Sequence, residues 1–381
     1  MIIVRPLPII DARLTSSNVV ETDYAAYNAA TTYALGDRVI LVSPTSTVTI
    51  SIAPVAVVTW AAHGQGAGTP ISFTTTGALP SGITASTLYY VKNVTTNTFT
   101  LAATSGGVEI GTSGSQSGVH TALSRVHRIY ESLQASNLAR YPLLASSSTW
   151  WVYVGDTNRW KMFDASVSSQ TSNLTTIDVT LAASGRINSV VLLNVSAASA
   201  QITMTDPTDG VVYDVTTSLI SDSGILDWYA YFFEAIERVV DLATTSLPPY
   251  TNASIRIVLT DTGNTVLCGA CILGLSKDIG STQYGLSVGI QDYSIKQRDT
   301  FGNYTILERA FNKRADMTVW VQNQLVDKLQ ALLAQYRAAP IVYIGEATFG
   351  STIVYGFYKD FTVSIAYHTV SICTISLEGL T

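Results

Sequence analysis

Short runs of alternating apolar and polar residues, separated by turn residues, recur along most of this chain. Successive side chains of a strand point to opposite faces, so a period of two predicts strands with one buried face. Segments such as Asp206-Pro-Thr-Asp-Gly210 and Asp261-Thr-Gly-Asn264 have the composition of the turns between strands. Many short strands at this spacing are typical of sandwiches and barrels. The chain is therefore predicted to be mainly β.

A chain of 381 residues is too long for one small core and predicts several domains. The composition changes abruptly to Thr, Ser, Gly, Ala and Val after Ser43, with strand candidates at Val48–Ile52, Pro70–Thr75, Thr87–Val94 and Thr98–Ala102. This change indicates an inserted domain. We predict a split module at 1–43 plus 123–160, an inserted β domain at 44–122, a jelly-roll-like β-sandwich at 161–279 and a C-terminal α+β region at 280–381.

One segment of the C-terminal region has helical rather than strand periodicity. Its apolar residues fall on one helical face: Leu325, Leu329, Leu332, Leu333 and Tyr336. Asn323 can cap the first turn, and Pro340 cannot continue a helix. The sequence therefore predicts an amphipathic helix at 323–338 that packs on a sheet.

Charged residues make up 13% of the chain and the net charge is −6, whereas soluble domains usually contain about 25% charged residues. Such a neutral, hydroxyl-rich surface does not attract nucleic acid and suits permanent contact with other subunits. We expect a homo-oligomer. No apolar run reaches the roughly 18–20 residues of a membrane helix, and Arg5 with two prolines follows Met1-Ile-Ile-Val, unlike a signal peptide. We expect assembly in a cytoplasm without membrane insertion.

The chain contains three cysteines, and Cys268-Gly-Ala-Cys271 has the spacing of a redox or zinc half-site. This pair lies in an apolar run that predicts a buried strand, where residues three apart point to opposite faces. We therefore expect Cys268, Cys271 and Cys373 to pack in cores, with no metal and no cofactor.

Motifs of catalysis are missing from the sequence. The histidines lie outside nucleophile, zinc-helix and phosphate-loop patterns: His63, His120, His127 and His368. Paired carboxylates would suffice for glycoside hydrolysis, and the candidates are Glu131, Asp156, Asp164, Asp206, Asp209, Asp292 and Asp299. Most occupy turn-like contexts that favour Asp for its backbone hydrogen bonds, although Asp206 and Asp209 could alternatively hold calcium. We expect no enzymatic activity.

Two segments on either side of the insertion form one pattern when joined. Tyr33-Ala-Leu-Gly-Asp-Arg-Val39 precedes it, and Ile129-Tyr-Glu-Ser-Leu-Gln-Ala-Ser-Asn137, Tyr141-Pro142 and Trp150 follow. Together they resemble the chitin-binding type of small carbohydrate-binding module, with the insertion in place of a hairpin loop. The resemblance implies sugar-stacking aromatics at Tyr33, Tyr130, Tyr141, Trp150 and Trp151. The same residues could instead form the small core of the module, and the insertion could either extend a binding surface or cover it.

The inserted segment contains Leu79-Pro-Ser-Gly-Ile83, Tyr89-Tyr-Val91 and Thr98-Phe-Thr-Leu-Ala102. These residues resemble a repeat-like β module of phage tail proteins. The region after it contains Trp160-Lys-Met-Phe-Asp164 and Gln291-Asp-Tyr-Ser294 with Asp299-Thr-Phe-Gly-Asn303, and is similar to a tail-protein family of phage genomes.

These resemblances imply a structural component of a bacteriophage virion, at the tail tip, baseplate or fibre-attachment region. The implied partners are other phage tail proteins and copies of itself, with host cell-surface polysaccharide as the further contact that the module suggests. The alternative is a receptor-binding or polysaccharide-degrading tail spike, in which recognition or cleavage of glycans is the main task.

An aromatic cluster lies at Trp228-Tyr-Ala-Tyr-Phe-Phe233. If this segment is a strand, aromatics must point to both of its faces, and one face then meets another domain or subunit. The predicted interface residues are Trp228, Tyr229, Tyr231, Phe232 and Phe233.

Overall fold

The computed structural model of this chain describes residues 1–11, 13–42, 45–124, 126–143, 145–183, 185–221, 227–233, 237–298, 300–337 and 339–380. Strands account for 52% of the protein and helices for 7%. The predicted mainly β, multi-domain class is confirmed. Among the helices in these ranges, none is both long and apolar enough to cross a bilayer.

The strands follow in chain order: β1 (Ile2–Pro6), β2 (Leu14–Ser17), β3 (Thr32–Tyr33), β4 (Arg38–Val42), β5 (Thr45–Ile50), β6 (Val57–Thr59), β7 (Pro70–Thr75), β8 (Tyr89–Lys92), β9 (Thr98–Ala102), β10 (His120–Ser124), β11 (His127–Ser132), β12 (Asn137–Leu138), β13 (Trp151–Asp156), β14 (Thr171–Ala182), β15 (Ser189–Ser196), β16 (Ser199–Asp206), β17 (Gly210–Ser218), β18 (Ile220–Ser221), β19 (Glu237–Arg238), β20 (Leu242–Thr244), β21 (Ser254–Asp278), β22 (Ser281–Thr282), β23 (Ser287–Asp292), β24 (Ile295–Arg298), β25 (Tyr304–Leu307), β26 (Phe311–Gln322), β27 (Ile341–Ile344), β28 (Ile353–Ser364) and β29 (Val370–Gly379). The α-helices are α1 (Trp228–Phe233) and α2 (Val326–Tyr336). Short 3₁₀ turns lie at Ala145–Ser147, Lys161–Phe163, Asn323–Leu325 and Gly350–Thr352.

The chain divides into two compact units. The first unit comprises Ile10–Ala12 and Val20–Trp160, and the second comprises Met1–Ile9, Arg13–Val19 and Lys161–Thr381. This division differs from the boundaries expected from sequence at two places. Strand β1 belongs to the second unit, because it pairs with both β21 and β27. Those same pairings join residues on both sides of position 279 in one sheet, so 161–279 and 280–381 do not separate into two units.

A closed barrel occupies residues 45–124 of the first unit, with strand order β10-β5-β6-β9-β8-β7. Alternate residues of its strands point inward, as in β8, where Tyr89 and Val91 are buried. They meet Phe73, Phe99 and other apolar residues in one core. Closure leaves the barrel without a free strand edge.

The barrel lies at the tip of a hairpin. Strands β4 and β11 pair with each other up to Val42 and His127, and β13 adds to the other side of β11. Inside the insertion, Thr45 of β5 pairs with Leu123 of β10. The barrel therefore leaves and rejoins the module at neighbouring points and occupies the position of a hairpin loop.

The 25-residue strand β21 connects two halves of one sheet in the second unit. Strand β14 pairs with 254–260 through residues 176–182 and with 265–268 through residues 171–174. The predicted turn at Asp261–Asn264 is therefore wrong. These four residues lie opposite the single residue Thr175 and form a bulge within one continuous strand. Strand β16 pairs with the first half of β21 and β15 with the second, and their apolar faces enclose a common core.

Cys268 and Cys271 lie in this core on β21, and both thiols are free and buried. The expected strand is present, but the expectation of opposite faces is wrong, since both residues belong to the same core cluster. Burial raises the pKa of Cys271, and the neighbouring Cys268 raises it further. In the described ranges no group of three or more His, Cys, Asp or Glu residues could hold a metal ion.

The sheet continues through β1, β27, β28, β29 and β26. Helix α2 packs on it through Leu329, Leu333 and Tyr336, as predicted from the apolar face. Asn323 does not cap the helix with its side chain. Its amide instead donates hydrogen bonds to the backbone oxygens of Tyr367 and His368 at 2.9 Å, which ties the helix start to the loop before β29.

Candidate functional site

The five aromatics expected to bind sugar gather in one cluster of the first unit. Tyr33, Tyr130 and Trp151 are 7%, 6% and 4% exposed and form its centre. Tyr141 and Trp150 are partly buried and pack against it. Strands β3, β11 and β13 bring them together, because these short strands each supply an inward aromatic. The cluster is the core of the module.

Trp151 is held on several sides. Its indole Nε1 donates a 2.8 Å hydrogen bond to the backbone oxygen of Arg140, and its ring meets Tyr33 edge-on with centroids 5.1 Å apart. A sugar ring stacks on an exposed aromatic face. Since protein covers these rings, Tyr33, Tyr130 and Trp151 cannot stack on a sugar in this conformation.

The two outer aromatics are partly covered. A Cβ added to Gly64, in the barrel segment between β6 and β7, would lie 1.9 Å from Cδ1 of Tyr141, so the tyrosine ring lies directly on this glycine. The guanidinium of Arg140 lies 4.9 Å from the centroid of the Trp150 ring. The inserted barrel thus covers part of the predicted sugar site instead of extending it.

Two other tyrosines present half-exposed rings on the module. Tyr24 and Tyr153 are 38% and 49% exposed. Arg38 lies 5.7 Å from the Tyr24 ring and donates a 3.0 Å hydrogen bond to its hydroxyl, and Arg128 lies 5.4 Å from the Tyr153 ring. Sequence reasoning missed both. Tyr153 follows Trp151 by two residues on β13, so its place in this aromatic segment could have identified it as a candidate. Tyr24 lies outside every motif.

A buried ionic cluster surrounds His127. Its Nδ1 lies 2.7 Å from Glu21 Oε1, its Nε2 lies 2.8 Å from Asp11 Oδ1, and its ring stacks on Trp160 at 4.5 Å. Arg159 donates to the other oxygen of Glu21. Burial favours the neutral imidazole, but hydrogen bonds to both carboxylates outweigh it and raise the pKa of His127 to about 9. His127 is therefore a charged imidazolium that ties residues 11 and 21 to β11.

Replacing His127 with glutamine should remove a pH-dependent part of the stability. The pKa is raised on folding, so the stabilisation is complete below the unfolded value of about 6.5 and is lost as the pH rises through about 9. A shift of this size corresponds to about 3 kcal/mol at most. Calorimetric unfolding between pH 6 and pH 9.5 should give a melting temperature that falls less with pH in His127→Gln than in the wild type. His368→Gln, at an exposed histidine, provides the control and should keep the wild-type dependence of melting temperature on pH. If His127→Gln also kept this dependence, that result would contradict the assignment of His127 as a charged imidazolium.

The carboxylates considered for glycoside hydrolysis have other contacts. Arg38 binds Glu131 at 2.7 Å. Asp206 accepts backbone hydrogen bonds from Thr208 and Asp209, as expected for a turn. The remaining candidates in the described part of the chain accept hydrogen bonds from side chains: Asp156 from Tyr153, Asp164 from Ser169, Asp209 from Tyr250 and Asp292 from Lys296. Asp299 lies outside the described residues.

The aromatic segment Trp228–Phe233 is a helix, so the predicted strand is wrong. Aromatic rings four residues apart are in contact: Trp228 stacks on Phe232 with centroids 6.3 Å apart, and the Tyr229 and Phe233 rings are tilted to each other with centroids 4.8 Å apart. Each of these four side chains is between 68% and 78% exposed. The surroundings of the Tyr231 side chain lie outside the described part. The helix presents an exposed aromatic surface, where an interface had been expected from the sequence.

Comparisons with protein-family models, with curated proteins and with solved structures found no match to this chain.

Proposed function

We propose that this chain is a structural, self-associating component of a bacteriophage tail. The observation that carries the proposal is the exposed apolar surface of the second unit. Trp228, Tyr229, Phe232 and Phe233 on α1 are more than two thirds exposed, and so is Phe301. Monomeric soluble proteins rarely expose such patches, whereas subunits of permanent assemblies bury them against neighbours.

The assignment to a tail rests on the sequence patterns. A tail-type β module, Leu79 to Ala102, is nested in a carbohydrate-binding-like module, and tail-like patterns follow from Trp160. The low charge content supports the same reading, since little of the surface is suited to repel a neighbour. The partners are copies of this chain and other tail proteins, and the location is the virion after assembly in the host cytoplasm.

Immunogold labelling of intact virions tests this proposal. Antibodies against the purified chain should label the tail at a constant position, and mass spectrometry of purified particles should recover its peptides. An unlabelled tail, together with the lack of these peptides in purified particles, would contradict the proposal. A capsid protein of the same particles provides the matched control for accessibility and recovery.

A receptor-binding tail spike is the second candidate. Half-exposed Tyr24 and Tyr153, each beside an arginine, favour it, because an aromatic face with a nearby polar group is the usual means of holding a sugar. A glycan array probed with the full chain should then give binding that Tyr24→Ala and Tyr153→Ala weaken and Trp150→Ala does not. Release of reducing ends from host polysaccharide would indicate the degrading form of spike.

A further inference from the structure

A two-stranded ladder of the second unit continues the hairpin of β23 and β26 beyond the pairing of Asp292 with Phe311. It consists of β24 and β25 with the described residues between them, that is 295–298 and 300–307, and is called the arm below. In the described ranges its two strands pair only with each other. Ile306 and Leu307 are 66% and 53% exposed and, as neighbours on one strand, point to opposite faces. The arm therefore exposes apolar side chains on both faces.

Such an arm is poorly suited to water. In the described ranges no third strand pairs with it, and exposed apolar side chains add little stability until another surface covers them. Phe301 in the turn is 89% exposed, so the end of the arm carries an aromatic ring. These features indicate that the arm lies against a partner.

The same unit contains an apolar pocket. Its volume is about 210 Å³, and its walls include Leu193, Val240, Ile353, Tyr355 and Leu380. Small-molecule sites usually measure about 300–1,000 Å³. The pocket is thus small for a metabolite and suits a single apolar side chain, like the pockets that receive anchor residues at protein interfaces.

The polar groups of the pocket are already satisfied by each other. Asp241 accepts a hydrogen bond from the Lys313 ammonium and another, at 3.0 Å, from the Asn194 backbone. Lys313 also donates to the backbone oxygen of Gly350 at 3.1 Å. An occupant therefore needs no charge or hydrogen-bonding group of its own, which favours an apolar side chain.

We propose that Phe301 at the end of the arm inserts into this pocket of a second copy of the chain. The inference deepens the proposed function, on which it rests, by naming the contact through which copies associate. The Phe301 side chain and the pocket are different surfaces of one chain, so the contact is head-to-tail. Repetition of such a contact generates a closed cyclic oligomer or an open filament. Helix α1 presents four aromatics side by side, a broad face that suits a flat partner better than a pocket for one ring.

The test compares matched variants of the full chain by analytical ultracentrifugation. Phe301→Ser removes the ring, and Val240→Arg fills the pocket from a wall residue that is 48% exposed. Each should raise the dissociation constant at least about thirty-fold, the effect of losing an interface anchor. Ile365→Ser, at an apolar side chain that is 73% exposed and belongs neither to the arm, nor to the pocket walls, nor to α1, should associate like the wild type. Circular dichroism establishes that each variant is folded.

Mixing the two defective variants gives the sharper result. Phe301→Ser retains an intact pocket and Val240→Arg retains an intact arm, so an equimolar mixture should form dimers and no larger species. Lack of dimers in the mixture, undiminished association of Phe301→Ser, or a monomeric wild type would each overturn the inference. An equal loss of association in Ile365→Ser would show that any exposed apolar side chain has this effect and would also overturn it. The virion labelling is independent of these outcomes and decides the proposed function separately.

Discussion

Trp151→Ala should destabilise the module by about 3–5 kcal/mol, the usual cost of removing a large buried aromatic. The side chain is 4% exposed and packs against Tyr27 and Tyr33. Its loss leaves a cavity and also leaves the backbone oxygen of Arg140 without the indole donor. Hydrogen exchange of peptides from β4 and β11 should become much faster, while peptides from the second unit should keep their rates.

Trp150→Ala is the matched control, because the neighbouring tryptophan is only partly buried and lies at the margin of the cluster. It should cost less than about 2 kcal/mol, since the surroundings can close over a partly exposed site. Equal effects of the two substitutions would contradict the assignment of Trp151 to the core. So would a Trp151→Ala protein with normal exchange rates and a selective loss of glycan binding, because that result would make Trp151 a binding residue.

Gly356→Ala should destabilise the second unit by about 2–3 kcal/mol or more, because the added methyl group has no space. Gly356 on β28 is paired with Gly379 on β29. A Cβ at this position would lie 2.0 Å from the backbone oxygen of Glu378 and 2.7 Å from the Cα of Gly379. Both contacts are with backbone atoms, so relief requires separation of two central strands.

Gly289→Ala, on β23, provides the control. No heavy atom lies within 4 Å of the added Cβ, so this substitution should be neutral or slightly stabilising. Calorimetric melting temperatures of the two variants give the comparison. A Gly356→Ala protein that melts with the wild type would show that β28 and β29 are not packed this closely.

Local periodicity was sufficient for β8, β9 and α2. In β8, β9 and β14 one face of the strand is apolar, and that pattern needs no distant information. The long bulge at Asp261–Asn264 was not predictable in the same way. Gly263 there has a φ of +83°, which fits a turn and a bulge equally well. Pairing with β14, far away in sequence, decides between them.

The segment Trp228–Phe233 was mispredicted for a different reason. Five aromatics in six positions satisfy a period of two and a period of 3.6, so periodicity does not discriminate between strand and helix. Aromatic residues favour strands on average, so propensity does not indicate the helix either. Stacking between residues four apart, as in Trp228 and Phe232, is available only in the helix.

The membership of the aromatic cluster followed from the sequence pattern, but its exposure did not. Whether Tyr141 and Trp150 face solvent depends on Gly64 of the barrel and on the orientation of Arg140. Neither contact can be predicted from a pattern in the local sequence. The resemblance to a carbohydrate-binding module therefore identified these aromatics, whereas tertiary packing decided that most of them form a core.

The position of the barrel has a consequence for the order of folding. Closing an unfolded loop of about 80 residues costs roughly 2–3 kcal/mol more entropy than closing a loop of about 4 residues. Pairing of Thr45 with Leu123 brings the ends of the insertion together once the barrel has formed. The hairpin of β4 and β11 then closes as if its loop were short. We expect the barrel to fold first, with the surrounding module forming on a connection that is already closed.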